Sequence, residues 1–180
     1  MILRISTKLS RPSASSGRSK ADLLPSEAEA LEFLLPLSAD YPGIDRWFAG
    51  RVIPGLRSGS RMLLRVERDG ELVGLGIAKR DHDERKICTV RVAPSHAGRG
   101  IGVRIFDKLL TWLDDDKPHL TINSSKLPMF ERIFDYYGFS RTSSKTDLYL
   151  PRAIELGFNE KDQKADAPQK PTAPSWLSVD

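Results

Sequence analysis

Cysteine occurs once in the 180 residues, at Cys88, so no disulfide can close within the chain. A reducing compartment, the cytoplasm, is the expected setting. Histidine is scarce too. His82, His96 and His119 fall at no ligand spacing, and with one thiol beside them no metal site is expected. No apolar run approaches the ~18 residues that cross a bilayer, so no membrane partner is expected. Acidic residues are missing from the first twenty positions, which carry five basic ones among serines. That start lacks the apolar stretch of a secretory signal and reads as a partly disordered lead-in, with residues 1–6 as a strand-like exception. Elsewhere a hydrophobic share of 39% supports a folded core. The net charge of +4 suits an anionic ligand without demanding nucleic acid.

Composition divides the chain into a basic segment (1–20), a folded domain (21–158) and a tail (159–180). The tail mixes charge with Pro168, Pro171 and Pro174 and is expected to be disordered, Trp176 and Leu177 included. In the domain, 25–37 reads as a helix with Ser26 as N-cap and Glu29 completing a capping box. A second helical stretch, 44–56, puts Trp47, Phe48 and Val52 on one side, read as core, and is ended by Pro54-Gly55. Three strands follow. The first, 61–68, alternates Met62, Leu64 and Val66, and Asp69-Gly70 is a hairpin signal. The second, 71–79, has Gly74 and Gly76 inside it, a mark of close backbone approach. The third, 85–93, alternates Cys88, Val90 and Val92.

Gly98, Gly100 and Gly102 come next, and from Ile101 the pattern turns helical, with Ile105, Phe106, Leu109, Leu110, Trp112 and Leu113 as an apolar stripe. Glycines at a helix start turn N–H groups toward an anion, a ready site for a phosphate or pyrophosphate. The spacing is G-x-G-x-G. Val103 stands where a dinucleotide fingerprint continues, and no G-K-[ST] is present for a P-loop. Asp114 to Pro118 stop the helix, and 119–123 is a short strand. Ser124-Ser125 open a helix with Phe130, Ile133, Phe134 and Tyr137 at i, i+3, i+4 and i+7. Gly138 closes it, and Phe139 begins a hairpin whose return strand is 152–158.

A strand, Val92-x-Pro94, three residues and then G-x-G-x-G opening a helix resemble the acyl-CoA motif of the GCN5-related N-acetyltransferase (GNAT) superfamily. The resemblance spans 61–158, is sharpest over 90–103, and extends to the helix–Gly138-Phe139 ending. It implies an α/β fold with a mixed, mostly antiparallel central sheet flanked by helices. It also implies an N-acetyltransferase that uses acetyl-CoA as cosubstrate, without a metal, the amine attacking the thioester directly in a ternary complex. On this resemblance the backbone of Ala97, Gly98, Arg99, Gly100, Ile101, Gly102 and Val103 takes the pyrophosphate, and Val90, Arg91 and Val92 pair with the pantetheine arm. A backbone N–H near Val90 or Arg91 faces the oxyanion.

Ala97 stands where the family carries Gln or Arg, and Arg99 and Arg104 are the charges at hand to compensate. Glu84, fourteen residues before Gly98, matches the base of histone-type members, although it lies in a charged turn with Asp81, Asp83 and Arg85. Phe134 takes the place of the family's thiolate-protonating Tyr, leaving Tyr136 and Tyr137 as the nearest donors; Leu127 takes the place of a CoA-contacting Asn. Cys88, mid-strand and without a histidine partner at evident spacing, is not expected to be a nucleophile. The implied partner is a small-molecule or protein amine, with a homodimer as the expected oligomer if there is one. An aminoacyl-tRNA-acetylating toxin, or a non-catalytic acyl-CoA-binding module, is the alternative.

Overall fold

A helical layer opens residues 23–160, the part of the chain that the computed structural model describes. The expectations for residues 1–20 and for the tail beyond residue 160 lie outside it. Helix α1 is Pro25–Leu34, and its N-cap is Leu24 rather than Ser26. Proline has no N–H and a preset φ, so it fits the first helical turn and moves the start upstream. Glu27 then takes the role expected of Glu29, accepting the Leu24 N–H at 2.9 Å. The helix tightens at Pro36 into a 3-10 turn, Leu35–Ala39. Helices α2 (Ile44–Trp47) and α3 (Ile53–Ser58) are joined by one widened turn, in which the Ile53 N–H bonds to Phe48 O. Pro54 therefore continues the helical path instead of ending it. It falls in the first turn of α3, where a missing donor costs little.

Strands β1 (Arg61–Arg68), β2 (Glu71–Arg80) and β3 (Arg85–Val92) form an antiparallel meander. Asp69 (φ 52°) and Gly70 (φ 81°) make its first turn, with the left-handed pair that a two-residue hairpin needs. Helix α4 (Ile101–Leu113) lies across one face of this sheet, and α1 to α3 cover the other, with Leu31, Leu34, Phe48 and Val52 packed in one cluster with Leu75 and Ile77 of β2. The α4 contact is close because β2 has no side chain at two positions. A Cβ on Gly76 would stand 2.6 Å from Ile105 Cγ2, and one on Gly74 2.8 Å from Ile101 Cγ2. Gly76→Ala should therefore lower the urea midpoint, by overpacking worth about 1–3 kcal/mol. An unchanged midpoint would mean that α4 sits more loosely on β2 than this.

A second three-stranded sheet completes the fold. Strand β4 is Leu120–Asn123, helix α5 is Leu127–Tyr137, and β5 (Arg141–Thr146) and β6 (Ile154–Phe158) form the hairpin. Strand β6 lies between β4 and β5, antiparallel to both. Phe134 of α5 seats against Phe158, ring centroids 4.6 Å apart, and against Phe106 of α4. The fold is thus mixed α/β, its antiparallel sheets flanked by helices.

The two sheets touch at one point. The Ile87 N–H bonds to His119 O and the His119 N–H to Arg85 O, each at 3.1 Å, so β3 and β4 start side by side and parallel, then separate. A bulge reinforces the separation: Ile77 faces Thr89 while Ala78 faces Ile87, leaving Cys88 as the extra residue of β3. The bulge also corrects the expected alternation. Val90 and Val92 pack with α4, whereas Cys88 packs on the opposite face beneath α1 to α3.

Candidate functional site

A cleft of about 500 Å³ opens where β3 and β4 part. One wall is Thr89 to Val92 and the other Leu120 to Ile122, with Phe106, Phe130 and Phe134 below. The β3 wall is main chain that has lost its neighbour. The Ala93 N–H bonds across to Val73 O of β2 at 2.8 Å. Backbone groups alternate along a strand, so those of Arg91 also face β2, while those of Val90 and Val92 face the open cleft. This separates two residues that sequence left together. Val90 can present an N–H to a ligand; the Arg91 N–H is turned to β2, and its guanidinium binds Phe33 O and lies 4.4 Å over the Phe33 ring.

Beyond Val92 the chain makes a short 3-10 turn, Pro94–His96, and then the glycine loop. Gly98 and Gly100 both have φ 74°, a left-handed conformation that aims successive N–H groups outward. The first intrahelical bond of α4 is Arg104 N–H to Gly100 O. The N–H groups of Ile101, Gly102 and Val103 therefore have no helical acceptor. Those of Gly98, Arg99 and Gly100 have no backbone partner among the described residues either. Ala97 differs from the expectation: its N–H is taken by Pro94 O at 3.2 Å, so the donor run starts at Gly98. Arg99 and Arg104 are exposed beside it. With the helix's positive end, these backbone donors can hold an anion.

Glu84 lines the opposite end of the cleft. Its carboxylate bonds to Lys79 and to His119 Nε2, the latter at 2.8 Å. Burial pushes the carboxyl up, but the Lys79 ammonium, with His119 and Lys86, holds the group below its ordinary value of 4.5. His119 is lowered, first by burial and then by Lys86, which favours the neutral ring. Sequence placed Glu84 in a solvated turn, yet only 30% of its side chain is exposed, because β4 brings His119 against it.

Tyr136 and Tyr137 are not brought to the cleft. Tyr136 is 74% exposed on the outer side of α5. Tyr137 stacks on Phe106 and donates to Asp107 Oδ1 at 2.6 Å; burial and that carboxylate raise its pKa. Phe134, which has no proton to give, lines the cleft in their place. Phe130, Phe134 and Tyr137 share one stripe of α5, and Tyr137, about two turns beyond Phe130, falls past the cleft onto α4.

Three residues that sequence did not single out meet at the site. Tyr41 lines the cleft, donates to Glu155 Oε1 and accepts the Asn123 N–H, each at 3.3 Å. The Tyr149 ring packs edge-on against Tyr41, centroids 5.3 Å apart. Glu155 of β6 is 4% exposed, and burial raises its pKa. A lone carboxylate in the apolar run of 154–158 was the readable signal. Because the folded value lies above the unfolded one, Glu155 costs stability as pH rises through that interval. Glu155→Gln should raise the melting temperature at pH 7–8 and lose that advantage near pH 4. A variant less stable at both would show that the carboxylate is fully paired. Among the described residues no cluster of three metal-ligating side chains occurs, and no helix is long and apolar enough to cross a membrane.

Residues 51–147 match the family model described as an acetyltransferase (GNAT) domain. No curated protein matches the chain in sequence. Among solved structures, the chain is similar to an acetyltransferase of the GNAT family from Desulfovibrio desulfuricans, with 13% identity over 75% of this chain and 92% of the other and a TM-score of 0.61. A GNAT acetyltransferase from Streptococcus pneumoniae gives 13% identity, 79% and 95% coverage and a TM-score of 0.56. An aminoglycoside 6'-N-acetyltransferase complexed with coenzyme A gives 11% identity, 75% and 90% coverage and a TM-score of 0.56. At these identities the structures speak for the fold, and the family model spans more than half of the chain. From cleft, loop and match together, the chain belongs to the GNAT acetyltransferase family.

Proposed function

We propose that the protein is an acetyl-CoA-dependent N-acetyltransferase that works by direct attack of an amine on the thioester, in the cytoplasm, where its single thiol stays reduced. The observation that carries this is a pair of unsatisfied backbone donor groups on one stretch of chain, separated by the short 3-10 turn. The first is the Val90 and Val92 edge of β3, and the second runs from Gly98 through the first turn of α4. An open strand edge suits the amide-bearing pantetheine arm, and the helix start suits a pyrophosphate. The coenzyme A complex of the aminoglycoside acetyltransferase, a structure of the same fold, supports the same ligand here.

In this reading the thioester carbonyl lies at the bulge, with its oxygen toward the Val90 N–H. The amine nitrogen forms a bond to the carbonyl carbon, the C–S bond breaks, and the sulfur leaves as thiolate. Low thiolate basicity makes this departure feasible without Tyr136 or Tyr137. Glu84 faces the acceptor ammonium and takes its proton, directly or through water, so that the free amine attacks.

Glu84→Gln should then lower kcat/KM about 100-fold with acetyl-CoA affinity unchanged. Since Glu84 is ionised well below neutrality, its own titration should not shape the rate from pH 6 upward. The rise there should follow the acceptor amine. Equal rates in wild type and variant would make Glu84 a structural partner of Lys79 and His119. The losses at Ala97, Leu127 and Phe134 favour a second reading, a non-catalytic acyl-CoA-binding module. Binding without turnover over a broad amine panel would select it.

A further inference from the structure

The acceptor end of the cleft carries charge that the proposed transfer step does not use. Strand register sets Arg61 of β1 opposite Lys79 of β2, and Lys79 opposite Lys86 of β3. Opposed residues share a sheet face, so the three form one basic row; at the strand spacing, Arg61 and Lys86 start about 10 Å apart. All three line the cleft.

Most other charges there are already matched. Lys79 pairs with Asp81 at 2.7 Å and with Glu84. Lys126 pairs with Asp40 at 3.1 Å. Arg91 is turned away onto Phe33. The acidic residues of the lining, Asp40 and Glu84, are thus both engaged. Arg61 and Lys86 have no carboxylate within ion-pair distance among the described residues. Arg61 Nη1 lies 3.1 Å from Cys88 Sγ, but burial raises that thiol's pKa, so it offers no counter-charge at neutral pH. Aromatic rings flank the pair: Trp47, 5.9 Å from the Arg61 guanidinium, with Tyr41 and Tyr149 in the same lining.

Resting on the acetyltransferase reading, we infer that the acceptor is an amine that also carries an oxyanion, a carboxylate or a phosphate, held by Arg61 and Lys86. An arginine fork beside an ammonium recognises either group, and the two cations left unmatched disfavour polycationic amines. Apolar parts of the acceptor lie against Tyr41, Trp47 and Tyr149.

Matched amine pairs test this through release of the CoA thiol: phenylalanine against phenylalaninamide, and O-phosphoethanolamine against ethanolamine, with spermidine as the polycation. The expected result is at least a tenfold kcat/KM preference for the anionic member of one pair, which names the oxyanion. Arg61 packs against Gly55, so its truncation endangers the fold. Lys86 is half-buried and outside both core clusters, which makes it the residue to change. Lys86→Gln should cut the preference several-fold, and Lys86→Glu should shift it toward spermidine. Neutral or polycationic amines used as well as their anionic partners, with ratios unmoved by Lys86→Glu, would overturn the inference alone. Acetyl-CoA binding without transfer to any of the five amines would overturn the enzyme reading and this one together.

Discussion

Gly100→Asp should weaken acetyl-CoA binding about 100-fold, from two effects of similar size. Gly100 has φ 74° and is the N-cap of α4. Any residue with a Cβ is strained there by about 1–2 kcal/mol, somewhat less for aspartate. Nothing lies within 4 Å of the added Cβ, so the space is open and the cost is conformational. The second effect is charge. A carboxylate at the N-cap would compete with the pyrophosphate for the N–H groups of Gly102 and Val103 and repel it. Gly100→Ala separates the two, since it keeps the strain and omits the charge; it should lose about tenfold or less. Fluorescence titration can follow both, with Trp47 in the cleft as reporter. Wild-type affinity in Gly100→Asp would remove the pyrophosphate from this loop.

Val90→Pro should lower kcat about 100-fold while the protein stays folded. The parity set by Ala93 and Val73 points the Val90 N–H at the cleft and not at β2. Proline there breaks no β2–β3 bond and removes one donor, the arrangement in which a strand tolerates proline. Arg91→Pro is the control. It should unfold or strongly destabilise the sheet, since the Arg91 N–H faces β2. If Val90→Pro turned over normally, the oxyanion would be stabilised elsewhere. The pair of variants also tests the bulge at Cys88, because without that extra residue the parities of 90 and 91 would exchange.

Sequence carried the elements well where one physical signal dominated. Asp69-Gly70 needed left-handed backbone and has it. Gly74 and Gly76 announced close packing, and α4 lies against them. The glycine loop was legible for the same reason, since left-handed backbone at Gly98 and Gly100 leaves its mark as missing side chains. Signals failed where tertiary context decided. A single extra residue at Cys88 moved Val90 and Val92 to the opposite face, and no alternation pattern shows a bulge. Pro54 reads as a terminator, but the widened turn before it makes its missing donor harmless.

The end of the cleft at Glu84 was hardest to read because its residues come from distant parts of the chain. Tyr41 and Glu155 are 114 positions apart, and only the insertion of β6 beside β4 brings them together. His119 reaches Glu84 through the parallel bridge between the sheets, so the environment of that carboxylate was not available from its charged neighbours in sequence. Tyr137 shows the converse. Proximity in sequence to the family's tyrosine position suggested a donor, and helix phase turned it to Asp107.

Calorimetric titration of the protein with acetyl-CoA probes the ligand assignment itself, on which every later step depends. One site per chain is expected, with a dissociation constant on the order of 10 μM and a favourable enthalpy from the backbone donors of β3 and the α4 start. No saturable heat up to millimolar acetyl-CoA would contradict this, and would leave the open edge of β3 and the glycine loop without the ligand assigned to them here.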